Sequence, residues 1–299
     1  MTTTSGLLLI DKPAGLTSHD VVGRLRQLFG ERRIGHAGTL DPMATGLLVL
    51  AVGNATRLLR FAQAETKVYV GTVLWGVATD SLDADGVVTQ RAPVPAVSLE
   101  DLNAIAQTMS GAQRQTPPMV SAIKVGGRRL HELARAGVEV ERASREIVID
   151  RFQLSSGASP NQWNFEVTCS VGTYIRVLLS DLAQKVGTVG HLTALRRVSS
   201  GHHHVRDAYT LEGLAGRDDV TSVLLDPVRM VESLESVALG DDDLARMRWG
   251  QRVALDQHFS GGEVAALDAR GALVGVLTRR GDLWKPEIVL TGAGGTSCE

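Results

Sequence analysis

The apolar runs of this chain are short, unevenly spaced and separated by single helices or hairpin turns, a pattern unlike regular strand–helix–strand winding. Leu7-Leu8-Leu9-Ile10 reads as a buried strand ending in Asp11-Lys12-Pro13. Thr17-Ser18 then caps a helix whose apolar positions Val21, Leu25, Leu28 and Phe29 fall at helical spacing before Gly30. Gly46 to Val52 is a second buried strand, and Asn54 is expected to cap a helix running to Ala64. Lys67 to Trp75 alternates in strand fashion, and Asp83-Ala84-Asp85-Gly86 is a turn joining it to Val87-Val88-Thr89. Ser98 with Asp101 resembles a capping box for a helix bearing Leu99, Leu102, Ile105 and Met109, broken at Gln115-Thr116-Pro117-Pro118. Further strands are expected at Met119–Val125, Glu146–Leu154 and Gln162–Ser170, a short basic helix at Arg128–Ala136, and a helix from Tyr174 to Val186 stopped by Gly187. The acidic run Asp241-Asp242-Asp243 opens a different region, with a short helix and brief strands at Gly261–Leu267, Leu273–Leu277 and Glu287–Leu290. Together these elements predict an α+β fold: a mixed, largely antiparallel central sheet flanked by helices, with a small β-rich C-terminal domain. The expected boundaries are 1–235, 236–292 and a mobile tail at 293–299, too poor in apolar residues to pack.

With 43% hydrophobic and 21% charged residues the composition is that of a soluble globular protein. No stretch approaches the ~20 apolar residues that cross a bilayer, and the polar start lacks a basic leader, so a cytoplasmic location is expected. Cys169 and Cys298 have neither a disulfide framework nor metal-ligand spacing. The net charge of −2 argues at first against a polyanionic partner. It conceals an asymmetry, because residues 1–205 hold 21 Lys and Arg against 17 Asp and Glu, while 206–299 hold 10 against 16. Arg24, Arg26, Arg32 and Arg33, then Arg57 and Arg60, then Lys124, Arg128, Arg129 and Arg135, then Arg196 and Arg197 form basic clusters in the N-terminal two-thirds. Each could be solvated surface or a phosphate-facing patch.

Between Gly35 and Gly46 three glycines and Pro42 make an irregular loop directly before a buried strand. Pro42 confines Asp41 to extended geometry, so its carboxylate stands on a stiff segment where either a turn cap or a reactive group fits. Neither a phosphate-binding Walker loop nor a dinucleotide fingerprint is present, and no second carboxylate lies near Asp41 in sequence. His36 has no adjacent candidate ligand, and the consecutive His202, His203 and His204 would point alternately to opposite faces, so no metal site is expected.

Six ordered motifs nevertheless carry a resemblance. They are Leu9-Ile10-Asp11-Lys12-Pro13-Ala14-Gly15; Gly35-His36-Ala37-Gly38-Thr39-Leu40-Asp41-Pro42-Met43-Ala44-Thr45-Gly46; Lys67-Val68-Tyr69; Pro117-Pro118-Met119-Val120-Ser121-Ala122-Ile123-Lys124; Gly172-Thr173-Tyr174-Ile175-Arg176; and Leu195-Arg196-Arg197. In this order, over roughly residues 6–200, they resemble the TruB-type tRNA pseudouridine synthases. The resemblance implies the pseudouridine synthase fold, with a faint likeness of the C-terminal module to a PUA-like RNA-binding domain. It also implies isomerisation of uridine 55 in the tRNA T loop after base flipping, without cofactor or metal.

By that resemblance Asp41 is the catalytic nucleophile, a role open to carboxylates. Arg176 is its counter-ion, against the alternative of phosphate binding. Tyr69 lies against the target base, against a cross-strand core role. Tyr174 and Leu195 are pocket residues that would otherwise pass as core, and His36 is an RNA-side residue that could instead brace the loop. The segment 117–151 matches an inserted loop closing over the RNA and is expected to be poorly ordered in the free chain. The expected partner is the tRNA T arm, with no membrane, no obligatory protein partner and a monomeric state. Two other readings stay open: an RNA-binding or tRNA-folding protein whose catalysis is dispensable, and the catalytic subunit of a guide-RNA-dependent complex.

Overall fold

A computed structural model of the chain describes residues 5–63, 66–121, 124–125, 127–130, 138 and 140–290. The expected tail, Cys298 and most of the expected basic helix at 128–136 lie outside the described residues. The centre is a nine-stranded sheet in the order β1 (Gly6–Lys12), β3 (Thr45–Val52), β12 (Gly190–Ser200), β4 (Lys67–Trp75), β11 (Gln162–Cys169), β10 (Arg145–Ser156) and β7 (Gly111–Gln115). β2 (Ile34–Ala37) pairs with β3, and β13 (His203–His204) pairs with β12. Only β12 with β3 runs parallel, so the sheet is mixed and largely antiparallel.

Three helices cover one face of this sheet. In α1 (Ser18–Phe29) Thr17 is the expected cap, its side chain and the Asp20 carboxylate together forming a capping box, and Gly30 ends the helix in the left-handed region. Its Val21, Val22 and Leu25 pack on Leu8, Ile10, Leu48 and Leu50 of β1 and β3. Each such burial stabilises by about 1.5–3 kcal/mol before entropy is charged. Farther along the same face α3 (Leu99–Thr108) and α4 (Ile175–Lys185) bury Leu102, Ala106, Leu178 and Leu182 against β4, β10 and β11. The Ser98 hydroxyl caps α3 by accepting from Asp101 N.

A second sheet follows in the order β14 (Glu235–Ala238), β15 (Glu263–Leu267), β16 (Leu273–Arg280) and β17 (Leu283–Val289), under α6 (Asp241–Arg248). Its Ala265, Val276 and Ile288 share one core with Leu7 and Val49 of the first sheet and with the helical Phe61. Arg57 Nη1 also donates to Val289 O at 2.7 Å, and Arg60 pairs with Glu263 across the seam.

Several expectations are corrected. Asn54 does not stand at a helix cap: residues Gly53–Leu58 form a 3-10 turn without a side-chain cap, leading into α2 (Leu59–Gln63), and Asn54 Oδ1 accepts from Arg33 Nη1. The chain after α3 does not simply break but adds β7, whose sequence Gly-Ala-Gln-Arg-Gln looks like loop because it is a mostly exposed edge strand. Met119 to Ser121 is irregular, and among the described residues of that stretch β8 (Lys124–Val125) alone pairs, with β9 (Arg128–Arg129) where a helix was expected to start. The turn at Asp83 to Gly86 follows a further strand, β5 (Val77–Thr79), which pairs with β6 (Val88–Arg91). A short helix α5 (Leu211–Ala215) lies against β1. The largest omission is β12 itself, whose Arg, His, Ser and Thr content conceals a strand in the middle of the sheet.

The parallel crossing of β3 and β12 places Gly46 against Arg197. Gly46 has φ +98°, and a Cβ there would lie 2.3 Å from Arg197 O and 2.8 Å from Arg197 N, both backbone atoms. We expect Gly46→Ala to lower unfolding stability by more than the ~1–2 kcal/mol of the left-handed backbone alone, because the two strands must also separate. Chemical denaturation of the two proteins checks this.

Candidate active site

Four separate segments converge on one cavity of about 370 Å³, within the ~300–1,000 Å³ range of ligand sites. The loop between β2 and β3 contributes Asp41, β4 contributes Tyr69, the start of α4 contributes Tyr174 and Arg176, and β12 contributes Leu195. His36 does not line the cavity; it stands on β2 opposite Leu50. Its Nδ1 is buried without a hydrogen-bond partner, and burial, with Arg197 next, lowers its pKa and favours neutral imidazole. Of the six residues singled out in sequence, five therefore line the cavity and one lies beside its loop.

The floor is an ion cluster. Arg176, only 3% exposed, brings Nε to 2.9 Å from Asp41 Oδ2 and Nη1 to 3.3 Å from Asp83 Oδ2. The Nε contact is an ion pair without good hydrogen-bond alignment, whereas Nη1 donates to Ser81 O at 2.6 Å and Nη2 to Val120 O at 3.0 Å. A guanidinium with two carboxylates and two carbonyls around it has the acceptors that burial demands. Asp41 keeps a third of its side chain open to the cavity. Even so, burial pushes its pKa up; Arg176 pulls it down, and Asp83, a like charge, adds to the rise.

Asp83 escaped sequence reasoning because Asp-Ala-Asp-Gly is what any polar turn looks like. The residue before it decides its fate. Leu82 has φ +64°, a left-handed backbone rare for a bulky side chain, and its carbonyl accepts from Leu192 N at 3.0 Å. This anchors the turn on β12 and leaves Asp83 buried, with the Ser81 hydroxyl donating to Oδ1 and the Thr79 hydroxyl donating to its carbonyl.

Two buried cations hold the Asp41 loop. Lys12 is fully buried and donates to Pro13 O at 2.9 Å, Leu16 O at 2.6 Å and Pro42 O at 3.2 Å. Burial brings its pKa down to about 8, with Asp41 pulling it back up. Arg197, 1% exposed, donates from Nε to Leu47 O at 2.7 Å and from Nη2 to Gly38 O at 3.1 Å. It also sits directly across the strand pair from Tyr69, and its charge opposes the upward push that burial gives the Tyr69 pKa. Gln115, at the end of β7, holds Tyr174 by accepting from its N–H at 2.7 Å and donating to its carbonyl at 3.0 Å, in place of a side-chain cap on α4. Arg196 points elsewhere, into a bidentate pair with Asp11 at 2.9 and 2.7 Å. Lys12, Arg196 and Arg197 lay within recognised motifs, but nothing local in the sequence marked their partners.

The histidine run does not converge: His203 is buried, His202 is exposed, and burial lowers the His203 pKa. Among the described residues no group of three or more His, Cys, Asp and Glu side chains could hold a metal ion.

Comparison with known proteins agrees with this geometry. Residues 26–175 match the family model described as TruB family pseudouridylate synthase, N terminal domain. A relative from Mycobacterium bovis named tRNA pseudouridine synthase B is 42% identical over 97% of this chain and 97% of its own length. One of the same name from Streptococcus pneumoniae is 40% identical over 96% and 100%. In shape the chain is similar to the crystal structure of a Cbf5-Nop10-Gar1 complex, with TM-score 0.75, 22% identity, and coverage of 98% of this chain and 87% of that one. Ion cluster, motif order and fold thus define one class. The chain belongs to the TruB family of pseudouridylate synthases.

Because the pKa of Asp41 in the folded chain lies above the ordinary carboxylate value, ionising it costs folding stability; the cost is absent below the ordinary carboxylate range, grows as pH rises above it and is complete above the folded value. Removing the like charge in Asp83→Asn is expected to move the Asp41 titration to lower pH. Carbon-13 carboxyl NMR checks the shift, and an unchanged or higher midpoint would contradict the coupling.

Proposed function

We propose that the chain is a tRNA pseudouridine synthase that isomerises uridine 55 of the T loop, with Asp41 as nucleophile. The observation that carries the reading is the Asp41–Arg176–Asp83 cluster on the floor of a cavity that also presents Tyr69. The names of the relatives, 40–42% identical over nearly the whole chain, supply tRNA as the substrate.

The reaction breaks the N1–C1′ bond of uridine, forms a C5–C1′ bond, removes the C5 proton and leaves a proton on N1. It is an isomerisation, so no co-reactant is consumed. The Asp41 carboxylate bonds covalently to the nucleotide, at C1′ of the sugar or C6 of the base, and holds it while the uracil turns. Arg176 keeps that carboxylate ionised and aimed after RNA has displaced water. The Tyr69 ring lies against the base and its hydroxyl relays the C5 proton, with the Arg197 guanidinium across the strand pair. Tyr174 and Leu195 line the cavity that receives the nucleotide. A loop uridine is stacked, so the cavity must take it flipped out of the RNA, with His36 on the RNA side of the loop. The C-terminal sheet would serve as a PUA-like RNA-binding module, the chain as a cytoplasmic monomer needing no protein partner.

Purified protein incubated with an unmodified tRNA transcript, without guide RNA or any second protein, is expected to form one pseudouridine, at position 55. Nucleoside mapping locates it. Activity that appears only with added RNA or protein would favour the guide-dependent reading instead. Tyr69→Phe is expected to bind the transcript within a few-fold of wild type while losing at least about a hundredfold in turnover, the scale of one general acid–base contribution, in single-turnover assays.

A further inference from the structure

Three guanidinium groups reach the cavity, and two are fully engaged within the protein. Arg176 serves Asp41, Asp83 and two carbonyls, and Arg197 serves the Leu47 and Gly38 carbonyls. The third, Arg145, is different. Among the described residues its side chain makes no hydrogen bond and no ion pair, and its Nε is buried with no acceptor. Its polar contact is with an aromatic face: Cζ lies 4.5 Å from the ring centroid of Tyr174.

The group is nevertheless held firmly in place. Arg145 begins β10 opposite Gln115, the residue whose amide clamps the Tyr174 backbone from both sides. At Gly172, where φ is +87°, a Cβ would lie 3.4 Å from Arg145 Cζ and 3.5 Å from Nε and Nη1, so the guanidinium packs directly beside a bare stretch of backbone. A planar cation so fixed, lining a cavity, and lacking an anion is incomplete, since buried guanidinium donors require acceptors. Its fork matches two oxygens of a phosphodiester, which an RNA entering the cavity would bring.

We propose that Arg145 binds a backbone phosphate beside the nucleotide placed in the cavity, with Tyr174 as the platform that holds the guanidinium ready. This rests on the reading of the cavity as an RNA site and adds to it the residue that fixes the nucleotide's backbone. Binding of a T-arm stem-loop RNA is measured against potassium chloride concentration in an Asp41→Asn background, where turnover cannot blur affinity. Arg145→Met is expected to weaken binding by about tenfold and to reduce the slope of log K against log salt by about one unit, while Arg145→Lys keeps the slope. A methylphosphonate at each linkage flanking the target uridine supplies the partner half of a cycle. One of them should weaken binding to Arg145-containing protein and have no further effect on Arg145→Met.

An unchanged salt slope in a folded Arg145→Met protein would overturn the proposal and leave Arg145 as a brace for Tyr174. If that variant does not fold, equal binding of neutral and charged linkages by the Arg145-containing protein overturns it equally. Failure of the enzyme reading is visible separately, as absence of pseudouridine when the unmutated chain is given the same RNA.

Discussion

One buried guanidinium shared by two carboxylates sets the terms for the rest of the site. Arg176 cannot sit 3% exposed without acceptors, and Asp41 cannot face a desolvated cavity as an anion without a cation. Each condition supplies the other. Asp83 then holds the second edge of the guanidinium, and the Ser81 and Val120 carbonyls take what the carboxylates leave. The cost is carried by a left-handed Leu82 and by three polar segments folded tightly around the start of α4.

The same logic runs through the loop that carries Asp41. Its backbone carbonyls at Gly38 and Pro42 are taken by Arg197 and Lys12, two buried cations from distant parts of the chain. The loop is therefore positioned by side chains coming from the sheet beneath it, with Pro42 adding stiffness from within. Because Arg197 also stands directly across the strand pair from Tyr69, one side chain links the Asp41 loop to the ring across the cavity. A reaction in which the base must leave, turn and return needs both partners to stay put, and this cross-linking provides it.

The elements read correctly from sequence are those whose signals are local. The cap at Thr17, the stop at Gly30 and the apolar alternation of β4 depend on neighbours a few residues away. What was missed depends on the far side of the fold. β12 reads as polar because Arg197 and His191 are buried against carbonyls of other strands, and β7 reads as loop because an edge strand need bury little. At the site, the motifs located Asp41, Tyr69, Tyr174, Arg176 and Leu195, all of which meet at the cavity. Asp83 and Gln115 carry no such mark, since a turn aspartate and a strand-end glutamine acquire their roles only when Arg176 and Tyr174 arrive beside them.

The central claim is that the Asp41 carboxylate bonds to the nucleotide. Single-turnover conversion of a T-arm RNA by Asp41→Asn, at enzyme concentrations that saturate binding, tests it most directly. The amide keeps the shape and removes the anion. The account requires RNA affinity within a few-fold of the unmutated protein and a rate lower by at least about ten-thousandfold, as loss of a covalent nucleophile costs in other enzymes. A rate within tenfold of the unmutated protein would contradict it.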